Sequence, residues 1–485
     1  MPLVDTRMPG VYTLEIPTLP PSIAVVPSAV PCFIGYTQKA EKDGEDVTLK
    51  AVRIRNMRDF ETWFGTASPH VITVDVTDKA AVGEGVQIKS SAAVLKYRMY
   101  YALRLYFVNG GGPCFIVSLG KTEAADPYTP EFFKSLKKAK DITILVMPDA
   151  VKSANYLSAV QQSLLHCSTA VNRVALLDVD DVSGEDNALI TTNFRSIVPA
   201  VIDQKKYGAA YYPFLKTTLD YLFDGDSATV TIKKYTAPAV MPNPLGANEA
   251  VNPLNANQLI TTTPSQKIKA IEQTDNQLYN NVVAAIRDVP VPMPPTPAIA
   301  GIMVQTDATQ GVWKAPANVS IASVLMPTVE IDDDFHAELN VDATSGKSVN
   351  AIRAYEGKGI LVFGARTLAG NDLEWRYISV RRTFCFIEDS IARAMQDFIF
   401  SSNTRDTWIK VKSMISNFLI NIWQAGGLFG NTTNEAYAVN VGLPETMTDV
   451  DILEGRMIVE IKLRVARPAE FIILRYEHKF QANAS

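Results

Sequence analysis

Cysteine and histidine are scarce in this sequence, with four of each among 485 residues. Cys32, Cys114, Cys167 and Cys385 are far apart, each in an apolar neighbourhood such as Pro113-Cys114-Phe115-Ile116, and no Cys-x-x-Cys pair occurs. That spacing argues against a zinc site and predicts buried thiols in a chain folded in a reducing cytoplasm. His70, His166, His336 and His478 fall in no His-x-x-x-His or His-Glu-x-x-His spacing, which disfavours a zinc hydrolase. His166 and Cys167 are neighbours in sequence, whereas a catalytic pair requires neighbours in space. No apolar run reaches the roughly 20 residues of a membrane helix. Met1 to Arg7 lacks a basic flank followed by an apolar core, so no secretory signal is expected.

Phosphate and metal motifs are equally thin. There is no Gly-x-Ser-x-Gly elbow. Gly346-Lys347-Ser348 lacks the upstream glycine of a phosphate loop, because Val341 stands there, so Thr344 to Ser348 reads as a surface turn. Gly357-Lys358-Gly359 precedes a strand instead of opening a helix, which excludes a dinucleotide fingerprint. In the acidic run Asp178, Asp180, Asp181, Glu185 and Asp186, Val182 holds a position where calcium needs a ligand, and Gly184 comes one residue late. A solvated loop is the expectation there, as at Asp332-Asp333-Asp334. No catalytic residue, cofactor or metal ligand emerges.

The net charge of -5 argues against a nucleic-acid coat, which needs clustered Lys and Arg. The length predicts about two to four domains. Tyr12, Leu14 and Ile16 alternate with polar residues as in an extended strand, and a Pro-rich stretch from Pro17 to Pro31 follows as a stiff linker. Ser28–Tyr36 and Cys114–Leu119 read as strands, and Ala92–Tyr106 as a helix between them. From Ile142 to Tyr212 apolar runs (Ile142–Met147, Val174–Val179, Ala209–Pro213) alternate with amphipathic stretches (Ser153–His166, Asn187–Val201), which predicts a parallel α/β sheet. Residues 217–266, rich in Thr, Asn and Pro, read as a surface insertion with a hairpin over Asp220–Tyr235. Lys267–Arg287 reads as one helix. Near the end, Cys385–Phe400 and a helix capped by Asn403 carry apolar faces, and strands are expected at Met457–Val465 and Phe471–Phe480.

Several ordered segments carry a resemblance. They are Thr306-Asp307 with Gly311-Val312-Trp313-Lys314-Ala315-Pro316-Ala317-Asn318, then Asn350-Ala351-Ile352-Arg353, and Gly364-Ala365-Arg366-Thr367-Leu368. Trp375-Arg376-Tyr377, Val380-Arg381-Arg382, Phe386 to Ile391, Asn403 to Trp408 and Arg467-Pro468-Ala469-Glu470 follow. Together with Pro9-Gly10-Val11-Tyr12, where Leu14 replaces a usual acidic residue, they resemble the contractile tail sheath family of phages and related injection devices.

The resemblance implies a multidomain α/β and α+β chain. Its parts would be an arm and linker (1–30), an outer α+β region (31–120), a subtilisin-like, doubly wound α/β middle domain (121–345), and a C-terminal α+β sheath domain facing a tube (346–485) that ends in an arm (468–485). It implies a structural homo-oligomer of stacked hexameric rings around an inner tube, with baseplate and cap partners. Nucleic acid and membrane insertion are not among the partners. Assembly would occur in the bacterial cytoplasm, with release by lysis. Val11, Tyr12, Leu14 and Ile16, with Phe471, Ile472, Leu474 and Tyr476, would be the inter-subunit arms. Lys410 and Lys412 would touch the tube, and Arg366, Arg376, Arg381 and Arg382 would form exchangeable inter-subunit ion pairs or ordinary internal ones. From Lys347 onward there are 17 Lys and Arg against 15 Asp and Glu, a local balance of +2. The competing readings are a hydrolase on a doubly wound sheet and a non-contractile assembly module.

Overall fold

The computed structural model describes residues 22–67, 72–79, 85–90, 95, 97–121, 126–180, 186–223, 228–236 and 259–475. They belong to two compact units, a sheet unit (Ala29–Thr309 and Ala315–Ile378) and a helical unit (up to Ser28, Gln310–Lys314 and Ser379 onward).

The sheet unit is built on nine strands: β1 (Pro31–Gly35), β2 (Val52–Ile54), β3 (Cys114–Ser118), β4 (Ile144–Val146), β5 (Val174–Asp178), β6 (Gly208–Tyr212), β7 (Val319–Ser320), β8 (Val349–Tyr355) and β9 (Gly359–Val362). Their spatial order is β7-β9-β8-β6-β5-β4-β1-β3-β2. The six strands from β8 to β3 are parallel; β9 and β2 run antiparallel to them, and β7 pairs antiparallel with β9. β1, β4, β5 and β6 are buried along their whole length, which is why they read as unbroken apolar runs instead of alternating ones. The chain builds outward from β1 to β3, returns to β1's other side at β4, and continues to β8. This reversal makes the sheet doubly wound. Strands from all three segments delimited above at 120 and 345 join this one sheet.

The expected alternation is present, with helices Tyr156–Ala170 and Asn187–Ile197 between the strands. Other readings change. Ala228–Thr236 is not half of a local hairpin; it pairs in parallel with Ile72–Lys79 and antiparallel with Leu259–Lys267, so two distant segments share one small sheet. Its apolar face is buried at Ile72, Val74, Val76, Val230 and Ile232. The helix expected over Lys267–Arg287 is two, Ile268–Thr274 and Asn276–Arg287, because the Asp275 carboxylate accepts from the Leu278 N–H at 3.0 Å and starts the second. All four cysteines are buried, and none forms a disulfide.

The helical unit holds two long helices, Ile378–Met395 and Arg405–Gln424, packed through Phe386 and Phe418. Asn403 does not cap the second helix. Thr404 occupies that position, while Asn403 accepts from the Trp408 indole N–H at 2.7 Å and donates to the Arg456 carbonyl at 2.9 Å. Tyr437–Val441 and Val459–Leu463 form a two-stranded antiparallel sheet. The expected strand from Phe471 is absent over residues 471–475, which have no sheet partner.

Candidate assembly surfaces

A doubly wound sheet binds ligands outside the carboxyl ends of its strands, where the strand order reverses. Here that point lies between β1 and β4, and the chain itself fills it. The buried Asp149 carboxylate accepts from the Tyr36 N–H at 2.9 Å and the Arg98 N–H at 2.8 Å. It presses so closely on Gly35 that a Cβ there would lie 2.3 Å from its Oδ2. Asp178, at the end of β5, is buried instead of solvated; it accepts from the Thr296 N–H at 2.9 Å and from the Thr296 hydroxyl at 2.5 Å. Asp180 pairs with Lys152, and Asp186 caps the helix from Asn187. Lys347 and Ser348 are also buried, contrary to a surface turn: the Lys347 ammonium donates to the Arg195 and Val198 carbonyls at 2.6 and 2.7 Å. These polar groups are consumed by the fold.

His166 is likewise structural. Its Nε2 faces the Arg173 guanidinium at 3.2 Å, and burial, reinforced by Arg173, pushes its pKa down to about 3. Burial pushes Asp178 up to about 7, against the lowering effect of its Thr296 hydrogen bonds. The signs oppose. Between about pH 4 and 6.5 the folded chain keeps a proton on Asp178 that the unfolded chain releases, so stability falls as pH rises. Over the same window the unfolded chain binds a proton on His166 that the folded chain refuses, so stability rises with pH. We expect Asp178→Asn to leave a stability that climbs with pH, and His166→Gln one that declines, each by up to about 1 kcal/mol per pH unit. Urea midpoints from pH 4.5 to 7.5 read both slopes, and parallel profiles for the two variants would refute the assignment.

The residues expected at interfaces divide by exposure. Val11, Tyr12, Leu14, Ile16 and Tyr476 lie outside the described residues. Phe471, Ile472, Ile473 and Leu474 form an apolar run with 68–80% of each side chain exposed. The sheet of Tyr437–Val441 and Val459–Leu463 has only two strands, so each strand keeps one edge without a described partner. Lys410 and Lys412 are exposed on one helix, and Lys412 approaches Glu445 at 4.0 Å, a surface pair of little strength.

The arginines are mostly internal. Arg366 is buried and donates to the Asn340 carbonyl at 3.0 Å. Arg381 is buried and pairs with Glu388 at 2.8 Å, and Arg382 is buried and donates to the Ser28 carbonyl at 3.3 Å. Burial takes these three out of reach of a neighbour in this conformation; Arg376 alone is half-buried.

Sequence reasoning missed how residues 22–28 are held. Ile23 and Val26 are buried, and the Val26 N–H donates to the Ser390 hydroxyl at 3.5 Å. The spaced apolar residues between prolines were the available signal. Trp313 was legible only as a motif. It packs so tightly on Gly311 (φ 93°) and Gly427 that a Cβ on either would come within 2.3 and 2.7 Å of its ring.

Residues 371–479 match the phage tail sheath C-terminal domain. The tail sheath protein of Vibrio phage KVP40 is 25% identical over 182 residues, which are 37% of this chain and 25% of that one, so this chain spans about a quarter of that relative's length. Over 98% of this chain and 100% of the other, the structure resembles a chain of the anti-feeding prophage baseplate (27% identity, TM-score 0.62). It also resembles the anti-feeding prophage helical sheath in the contracted state over 98% and 100% of the two chains (26%, 0.63). The contracted sheath complex of the PVC extracellular contractile injection system matches over 98% and 99% (26%, 0.60). The class these similarities define is that of phage-tail-like sheath structural proteins. Residues 371–479 carry a phage tail sheath C-terminal domain, and over nearly its whole length the chain is similar to contractile sheath proteins.

Proposed function

We propose that this chain is the repeating subunit of a contractile sheath, stacked in hexameric rings around an inner tube and contracting to drive that tube through a target envelope. The observation that carries the reading is the exposed apolar run Phe471 to Leu474, in a unit whose two-stranded sheet has edges without a described partner. An isolated pair of strands is marginal in water, and added strands complete it through backbone hydrogen bonds. Phe471, Ile472, Leu474 and Tyr476 would add to a neighbour's sheet, and Val11, Tyr12, Leu14 and Ile16 would do so from the other end of the chain. Such strand joints stay paired while the bodies they connect rotate.

In this reading the middle sheet is the family's subtilisin-like domain, carrying no protease chemistry. Lys410 and Lys412 face the tube, where weak exchangeable contacts permit release. Arg376 is the arginine open to an exchangeable inter-subunit pair. Baseplate and cap proteins close the ends of a particle assembled in the bacterial cytoplasm and released by lysis.

Negative-stain microscopy of the full chain, alone and with its tube protein, tests this: striated hollow cylinders are expected, and monodisperse particles under both conditions would refute it. Deleting residues 1–17 is expected to abolish cylinders while leaving the unfolding midpoint of the monomer within about 1 kcal/mol of the parent. Long tubes from the truncated chain would remove the N-terminal arm from the mechanism.

A further inference from the structure

The helical unit carries both an apolar hole and an apolar knob. The hole is a cavity of about 290 Å³ lined chiefly by Ile23, Trp313, Phe386, Met414, Phe418 and Ile422. Its remaining walls include Asn417 and Asn421, which are solvent-exposed, so it opens to the surface. That volume lies at the lower limit for a drug-sized ligand and suits a single large side chain.

The knob is Phe400. The helix Ile378–Met395 runs on into a 3-10 turn, Gln396–Phe398, and the chain then reverses. Phe400 has a φ of 67° and a side chain that is 103% exposed, beside Ile399 at 62%. A bulky residue in the left-handed region is an outlier, and such strain persists only where the surroundings impose it. Here the Ile399 and Ser401 N–H groups donate to the Gln396 and Phe398 carbonyls at 3.2 and 3.0 Å. Asn403 then anchors the exit of the turn to Arg456 and Trp408. The fold therefore holds an aromatic ring out in water on a hydrogen-bonded base.

We infer that Phe400 of one copy inserts into the Trp313–Phe386–Phe418 cavity of a second copy. Phe400 does not fill the cavity of its own chain, since its ring is fully exposed. The helix and its 3-10 turn carry the chain about 20 Å from Phe386 to Phe398, and Phe400 follows where the chain reverses, so hole and knob are separate patches. When the hole and the knob of one copy are engaged by two different copies, the contact is heterologous, and each copy that fills a hole presents its own hole to the next. Such a contact propagates in series, as a stacked lattice requires. A central aromatic anchor in an apolar pocket is the form in which interface energy is usually concentrated.

The inference rests on the sheath reading only in requiring self-association. Two measurements on the full-length chain separate them. In pelleting assays, Phe400→Ser is expected to raise the critical concentration for assembly about thirtyfold, and Phe400→Leu by much less. Because the ring is exposed, the unfolding midpoint of the Phe400→Ser monomer should not fall. Separately, chains carrying Phe400→Cys are mixed with chains carrying Asn421→Cys and oxidised; a disulfide-linked pair of copies is expected, since the native cysteines are buried. A wild-type chain that assembles alongside a Phe400→Ser chain with an unchanged critical concentration would overturn the contact and leave the sheath reading standing. If the wild-type chain assembles neither alone nor with its tube protein, the sheath reading fails, and the mixed-cysteine experiment at high concentration still decides: absence of the cross-link overturns the contact.

Discussion

Replacing Arg173 with methionine should destabilise the sheet unit by about 3–5 kcal/mol. Arg173 is only 2% exposed. Its Nη1 donates to the Leu136 carbonyl at 3.3 Å and faces His166 Nε2 at 3.2 Å, its Nη2 donates to the Ala139 carbonyl at 3.2 Å, and its Nε donates to Asn172 Oδ1 at 3.0 Å. Leu136 ends the helix Pro130–Leu136 and Ala139 lies in the turns that follow it, where carbonyls have lone pairs to spare for a side-chain donor. The planar guanidinium satisfies them together from one position. Methionine fills most of the volume but removes four polar contacts at once: the His166 nitrogen loses its Arg173 partner, and the two carbonyls keep only the Ala139 and Ile142 N–H groups, at 3.2 and 3.4 Å. Arg173→Lys should recover only part of the loss, because one ammonium cannot reproduce the fork. Denaturant midpoints measure the change, and a loss below about 1 kcal/mol would show that the network is dispensable.

Asn350→Ala is expected to cost a comparable amount, about 3–4 kcal/mol. Asn350 lies on β8, 1% exposed. Its amide donates to the Ala210 carbonyl on β6 at 3.0 Å and to the Arg366 carbonyl at 2.8 Å, and its Oδ1 accepts from the Arg366 N–H at 2.7 Å. One side chain thus joins a strand to a segment that has no place in the sheet ladder. Gly364 permits the approach, since a Cβ there would lie 2.7 Å from the same Oδ1 and 2.9 Å from the Asn350 Cα. Asn350→Asp should be worse than alanine, because a carboxylate would face two carbonyl oxygens in a dry site. If Asn350→Asp matched the parent in thermal unfolding, the bonding scheme would be wrong.

These residues explain what the sequence motifs encode. Asn350-Ala351-Ile352-Arg353 and Gly364-Ala365-Arg366-Thr367-Leu368 are two halves of one joint, closed by Asn350. The Thr367 N–H and hydroxyl continue it by donating to the Arg376 and Trp375 carbonyls, each at 2.7 Å. The resemblance could be read as a string of residues long before this reason for it was visible. Its arginines were less legible. Arg366, Arg381 and Arg382 are buried among carbonyls and one carboxylate of their own chain, and no charge pattern along a sequence distinguishes that fate from an exposed interface.

Local signals determined the parallel core. Fully buried strands are unbroken apolar runs, and the helices between them carry one apolar face; both properties depend on residues only a few positions apart, so β4, β5 and β6 were found within a residue or two. The scarcity of histidine and cysteine patterns likewise spoke against metal and nucleophile chemistry directly. Only the tertiary structure decided the rest. Pairing Ile72–Lys79 with Ala228–Thr236 joins segments some 150 residues apart, and no local pattern encodes a register between them. Whether Asp149 opens a ligand crevice or fills it, and whether Phe400 is buried or held in water, depend on which distant atoms arrive beside them. The sequence alone therefore settled the kind of sheet and the family it resembles. The folded chain decided which polar groups are spent on holding that sheet together and which surfaces remain for a neighbour, because both are properties of contacts made across the whole chain.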